Sequence, residues 1–338
     1  MISHNKPTLG QREVIAAKRV INSGWVAQGR EVVAFEDEIS DFFGLDSRSA
    51  VVVSSGTSAL FLALWVLQSK GSRVGVPVYS CSALRNSVEM ARAIPIYIDC
   101  KEDSPNIDLN AEQVSMIDIL ISPSMYGIPI DVQSNRSYKV IEDLAQAFGA
   151  KENGERIGLR GEIGICSFYA TKIITSGGQG GVVFSNDINL IDEIKDYREF
   201  DNRRDEKIRF NFQMTDVQAA IGREQLSQFS TFNQKRDEIF SIYKSAGLNL
   251  LDCNNTKNTP VRYRAVLRVK KPKIIINRLK TYGVRAIVPI ELDELLDDSV
   301  SYKNAEYISR HTVSLPIYPD LDNNIAKKIS QVVTDIKQ

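Results

Sequence analysis

Between Ala50 and Phe184 the chain alternates short, mainly apolar runs with segments whose apolar residues recur at helical spacing. The runs cover 50–53, 74–78, 94–98, 117–121, 139–141 and 181–184, and helical spacing fills 58–68 and 82–92. A run that is apolar at every position predicts a strand covered on both faces, and the intervening helices supply that cover. Strands alternating with helices therefore predict an α/β fold with a mostly parallel central sheet flanked by helices.

The predicted strands end in small or polar residues: Ser54-Ser55-Gly56-Thr57, Tyr79-Ser80, Asp99, Ser122-Pro123 and Glu142-Asp143. Ligands of open α/β sheets bind beyond the carboxyl ends of the strands, so these turns are expected to face a site. From about Asp216 the pattern changes to a long amphipathic stretch, 217–246. A polar turn (252–259), a strand (261–269), a helix (273–282), a strand (284–288) and a last helix (323–336) follow, which reads as a small C-terminal α+β domain. The expected division is 1–225, a large domain with an N-terminal segment, and 226–338, the small one.

Composition narrows the partners. Lys plus Arg and Asp plus Glu are each 42, so no net field favours nucleic acid or an anionic membrane. Four dispersed cysteines without a CxxC pair suggest neither a zinc site nor a disulfide framework, and a reducing cytoplasm is expected. The first residues carry charges where a leader needs an apolar run, and the longest apolar stretch, Ala59 to Leu67, is far short of the ~20 residues that span a bilayer. No targeting or membrane segment is expected.

Only His4 and His311 are present, and HExxH, GxSxG, P-loop and GxGxxG patterns are missing, so hydrolase, zinc and nucleotide-cofactor chemistries lose ground. His4 in an N-terminal arm and His311 ahead of an apolar strand are expected to be structural. Three constellations remain. In 54–60 a strand ends in small residues and opens a helix, where N–H groups with the Thr57 and Ser58 hydroxyls can cradle a phosphate; the same pattern is also an ordinary N-cap. In 140–150 Glu142 and Asp143 end a strand with Gln146 three residues on, suited to a ring nitrogen or a metal, or else a pair of solvated turn acids. In 165–181 Lys172 lies between hydroxyl and apolar residues and a glycine-rich turn, suited to act as a Schiff-base amine, or else an ordinary surface lysine. Together they supply what pyridoxal phosphate needs: a phosphate holder, a partner for the pyridinium nitrogen and an amine for the aldehyde.

At these residues the chain resembles the DegT/DnrJ/StrS group of fold-type I pyridoxal phosphate enzymes, the sugar aminotransferases. The resemblance runs through Ser23 to Gly29 with Phe35-Glu36, Ser55 to Leu60, Ile141 to Ala150, Ser167 to Lys172, Asn211 to Met214 with Gln218-Ala219-Ala220, and Ser314 to Pro319. It implies that Lys172 forms the Schiff base and moves the proton, that Asp143 keeps the pyridine nitrogen protonated, and that Gln146 contacts the ring face or its 3-oxygen. It further implies that Gly56, Thr57, Ser58 and Ser167 bind the phosphate and that Asn211 reaches into a neighbouring subunit's site, hence a homodimer with shared active sites. The implied cofactor is pyridoxal 5'-phosphate, cycling through pyridoxamine phosphate. L-glutamate or glutamine is the implied amino donor and a nucleotide-linked keto-deoxysugar the acceptor, with surface polysaccharide or antibiotic sugar synthesis the implied setting.

Departures from the family pattern bear on the site. Cys81 stands where an aromatic or histidine usually stacks on the cofactor, leaving Tyr79 or another ring as a substitute; Gln179 replaces an acid and Gln213 an arginine near the expected site. The late Tyr-and-His stretch has no match in 286–292. A histidine at Lys172 would indicate the related sugar dehydratases, and the lysine argues against them. A catalytically altered binding or regulatory descendant, or transfer to a cyclitol-like ketone, are the alternatives. The charged run 192–209 reads as a solvated helix and loop.

Overall fold

Two helices, α1 (Gln11–Ser23) and α2 (Arg30–Phe43), lead the computed structural model, which describes residues 1–132, 135–253 and 255–337. Each stops at a glycine in the left-handed region, Gly24 (φ 76°) and Gly44 (φ 71°), whose N–H returns to the last helical turn. The sheet strands follow as β1 (Ala50–Val53), β2 (Arg73–Pro77), β3 (Ile94–Ile98), β4 (Ile119–Pro123) and β5 (Lys139–Asp143). After a short hairpin, β6 (Lys151–Glu152) and β7 (Glu155–Arg156), come β8 (Ile163–Ser167) and β9 (Gly181–Phe184).

The seven-stranded sheet has the order β1-β9-β8-β5-β4-β2-β3. Only β9 is antiparallel to its neighbours, β1 and β8, so every other strand of the sheet runs the same way and their carboxyl ends share one edge. Alternation along β1 sends Val51 and Val53 into one core with α3 (Gly56–Val66), and Ala50 and Val52 into the other with α2. Helices α4 (Ser82–Met90), α5 (Ile188–Arg198) and α6 (Asp216–Ser227) complete the layers.

The remaining elements are α7 (Phe229–Ser245), β10 (Asn258–Thr259), β11 (Ala265–Arg268), α8 (Pro272–Thr281), α9 (Lys303–Arg310), β12 (Thr312–Leu315) and α10 (Asn323–Lys337). The antiparallel pair β11–β12 packs with α7, α8 and α10 around Phe240, Tyr243, Leu267, Leu279, Val313 and Val333. The N-terminal arm rests on this second cluster, with Ile2 bridging to Val284 and His4 bonded to Ser314.

Several expectations need correction. The stretch 217–246 is two helices meeting at Gln228, the capping box between Thr215 and Gln218 fixing where the first begins. The segment 284–288 is not a strand and makes only isolated bridges, from Val284 to Ile2 and from Ile287 to Ser314. Strand β8 and helix α9 were not foreseen. Asn254, in the expected polar turn, lies outside the described residues. Among the described residues no helix is long and apolar enough to cross a membrane, and no cluster could hold a metal ion.

Candidate active site

The carboxyl edge of the sheet opens on a cavity of about 340 Å³, lined by Gly56, Thr57, Cys81, Asp143, Gln146, Ser167, Lys172, Gln179 and Tyr263 among others. The three constellations, far apart in sequence, thus meet at one place. A neighbouring cavity of about 440 Å³ shares Cys81, Gln146, Lys172 and Tyr263 and continues to Arg264 and Leu296.

The end of β5 separates two adjacent carboxylates. Glu142 is 2% and Asp143 4% exposed, so neither is a solvated turn acid. Glu142 accepts N–H bonds from Gly158 (2.9 Å), Arg160 (2.6 Å) and Gly161 (2.8 Å), which makes it the structural anchor of that loop. Asp143 lines the cavity and, among the described residues, its carboxylate accepts only the Ala145 N–H, at 2.8 Å. Burial pushes its carboxyl above the ordinary range, against the opposing pull of that bond and of the Lys172 charge.

Helix α3 begins at the cavity. Its N-cap Ser55 accepts from the Ser58 N–H, and the Ser58 hydroxyl is taken up by those of Ser54 and Ser55, so Ser58 belongs to the cap and does not line the cavity. Among the described residues the N–H groups of Gly56 and Thr57 have no acceptor in the protein, as expected of a first helical turn. A Cβ on Gly56 would stand 2.7 Å from the Cβ of Ser167, so glycine is what allows the helix to start this close to the end of β8.

Lys172 sits in the loop between β8 and β9. Backbone bonds from Phe168 to Gly180, Ala170 to Gly178 and Ser176 to Phe168 tie the loop to itself, and Lys172 N–H returns to Tyr169. Asn5 of the N-terminal arm donates to the Thr171 carbonyl at 3.0 Å. The Lys172 Nζ lies 5.2 Å from the ring centroid of Tyr263. Burial raises the Tyr263 phenol, but the positive charges of Lys172, Arg264 and Arg236 and a bond to Thr171 outweigh it and hold the hydroxyl below the usual tyrosine range.

Gln146 is held at both ends: its Oε1 accepts the Tyr126 N–H at 2.9 Å and its Nε2 points to Met125 Sδ at 3.6 Å. Tyr126 adopts φ 59°, a left-handed conformation that costs a bulky residue energy and recurs at functional sites. Tyr79 is fully buried and bonded to the Tyr126 hydroxyl at 2.6 Å, so it cannot replace the ring that Cys81 lacks. Gln179 lines the cavity. Gln213 does not: its amide reaches Glu199, which also accepts from Gln28. Asn211 is exposed and lies outside the cavity of its own chain, its Oδ1 accepting the Gln213 N–H. The run 192–209 is less solvated than expected, because Arg198 is buried against Glu36 and Asp196 gathers Arg203, Lys207 and Arg209.

Tyr263 and Arg264 escaped the sequence reading. Their segment carries no local signature, and their relation to Lys172 depends on how the second cluster docks on the first. The groups present fit pyridoxal phosphate: unpartnered N–H donors at a helix N-terminus for the phosphate, a buried carboxylate for a cationic ring nitrogen, and a primary amine within the same space.

Comparison with known proteins agrees with this chemistry. A family model described as the DegT/DnrJ/EryC1/StrS aminotransferase family matches residues 7–336. GDP-perosamine synthase of Vibrio cholerae is 32% identical, the alignment covering 98% of each chain. Among solved structures, S. venezuelae DesV in complex with a ketimine intermediate superposes with a TM-score of 0.89 at 27% identity, over 96% of this chain and 94% of that one. The aminotransferase TlmJ of Streptoalloteichus hindustanus shares the fold, with a TM-score of 0.92 at 24% identity and full coverage of both chains.

Proposed function

The chain belongs to the DegT/DnrJ/EryC1/StrS aminotransferase family, and on that premise we propose that it moves an amino group from L-glutamate, or glutamine, to a keto carbon of a nucleotide-linked deoxysugar. It is a sugar aminotransferase of a pyridoxal phosphate-dependent family. The specific reading is supported above all by one observation: Lys172, Asp143 and the unpartnered N–H groups of Gly56 and Thr57 face a single cavity.

Pyridoxal phosphate, when bound, supplies an electron sink for the C–H bond broken at the donor's amino-bearing carbon. Gly56, Thr57 and Ser167 would hold its phosphate at the positive end of α3. Asp143, buried and short of partners, favours a protonated ring nitrogen beside it. Gln146, fixed by Tyr126 and Met125, orients the ring. Lys172 would supply the amine for the cofactor's aldehyde, and its Nζ would be the base placed to take a proton from the donor's carbon. Asn211 completes the site of a second subunit in a homodimer.

The test is the visible spectrum of the protein with pyridoxal phosphate, before and after L-glutamate, for wild type and Lys172→Ala. The wild type is expected to develop an absorption band that glutamate bleaches, and the variant to form no such band. A wild type that stays colourless with saturating cofactor would overturn the proposal.

A further inference from the structure

Arg264 and Arg85 both line the larger opening and the cofactor chemistry uses neither; Arg85 reaches the Leu296 carbonyl at 3.5 Å, whereas Arg264 stands beside Lys172. Arg264 lines the cavity that Lys172, Gln146 and Tyr263 share with Leu296. Its guanidinium carbon lies 5.5 Å from the ring centroid of Tyr263, the same ring that has the Lys172 Nζ at 5.2 Å. Two cations therefore flank one aromatic residue on the wall of one cavity. Among the described residues no carboxylate comes within ion-pair distance of Arg264. Asp293 and Glu294 line the same space, Glu294 accepting the Glu291 N–H, and neither is paired with Arg264.

The neighbour that does hold Arg264 is His4, whose Nε2 lies 3.4 Å from Nη1 and 2.7 Å from the Ser314 hydroxyl. Burial, with help from Arg264 and Arg285, pulls the His4 imidazole down to about 3, so at working pH it is neutral and its Nε2 can accept from both donors. A neutral acceptor fixes the direction of a guanidinium without cancelling its charge. A positive charge kept uncompensated at a cavity wall calls for an anion from solution, and a planar fork of donors suits a carboxylate.

We propose that Arg264 binds a carboxylate of the amino donor, with His4 of the N-terminal arm as the residue that positions it. The inference rests on the aminotransferase reading and adds to it the residue that recognises the donor. The donor's amine belongs at Lys172, and an amino acid is short enough that its carboxylate falls within the same cavity. The diphosphate of a sugar nucleotide is the other anion of comparable chemistry, and the experiment separates the two.

Cofactor-loaded enzyme is titrated by calorimetry with glutarate, a dicarboxylate lacking an amine to react, and separately with a free nucleoside diphosphate. Arg264→Gln is expected to weaken glutarate about tenfold to a hundredfold, the usual worth of a charge-assisted bond, and to leave the nucleotide unchanged. Arg264→Lys, which keeps the charge but not the fork, is expected to retain part of the affinity and serves as a control for folding together with the melting temperature. Glutarate binding equal to wild type in Arg264→Gln overturns the inference, as does a loss confined to the nucleoside diphosphate. Neither result touches the aminotransferase reading, which instead fails if glutamate leaves the wild-type spectrum unaltered.

Discussion

Glu142 and Asp143 occupy consecutive positions on one strand, and the pleat sends them to different duties. Three backbone donors surround Glu142, while Asp143 has one and an open cavity beside it. Replacing Glu142 by Gln is expected to cost about 1–3 kcal/mol of stability, because an amide can satisfy the three N–H donors only in part, and that loss outweighs the relief of a carboxyl whose pKa burial raises as it does that of Asp143. Cofactor affinity should stay near wild type. Asp143→Asn should do the reverse. Burial raises the Asp143 pKa in the folded, cofactor-free protein, so ionising it opposes folding once the pH rises past the ordinary carboxylate range. The amide removes that opposition, and the cofactor-free variant should melt no lower than wild type at neutral pH while binding pyridoxal phosphate more weakly. Melting curves and a cofactor titration check both, and a pair of variants with the same profile would contradict the division of roles.

At the scale of elements, what could be read from sequence follows from how local each signal is. Strands β1, β3 and β9 are continuous apolar runs with polar ends, and α3 and α4 follow their strands at helical spacing, so all were legible. Strand β8 lies within the stretch whose signal points to Lys172 and is not followed by a helical pattern, and its place is set by pairing with β5 and β9. Helix α9 buries only Ala305, Ile308 and Ser309, too short a stripe to stand out. The expected strand at 284–288 reflects apolar residues that do reach the core but are bridged by the N-terminal arm, a contact no local pattern encodes. That arm carries its own prediction. His4 faces Arg264 and Arg285, and its pKa falls from 6.5 to about 3 on folding. Its contribution to stability is therefore complete above pH 6.5 and is lost progressively as the pH falls from there toward 3, where the unfolded chain takes up a proton that the folded one refuses. Denaturant melts across that window should show the decline, and His4→Gln should flatten it; an equal slope in both proteins would place the sensitivity elsewhere.

On the scale of the whole molecule, several large apolar side chains lie outside its own core. Val14, Ile15 and Ile21 on α1, Val33 on α2, and Trp25 between them are each more than half exposed. Ile208 and Phe210, beside Asn211, are exposed as well. Apolar side chains left to solvent are candidates for cover by a partner, and an isologous pair of chains would cover each of them twice. The fold alone thus leaves Asn211 outside its own cavity and beside apolar residues fit for a partner, which is the arrangement the homodimer proposal requires. Complementation tests it directly. Lys172→Ala and Asn211→Ala chains are each expected to be impaired as homodimers. Unfolded together and refolded, or co-expressed, they form mixed dimers in which one site joins the intact Lys172 of one subunit to the intact Asn211 of the other. Amine transfer should then reappear in the mixture and be absent from the sum of the separate proteins. If mixing restores nothing while differently tagged chains co-purify as mixed dimers, Asn211 acts within its own chain or not at all, and the two sites of the dimer are independent.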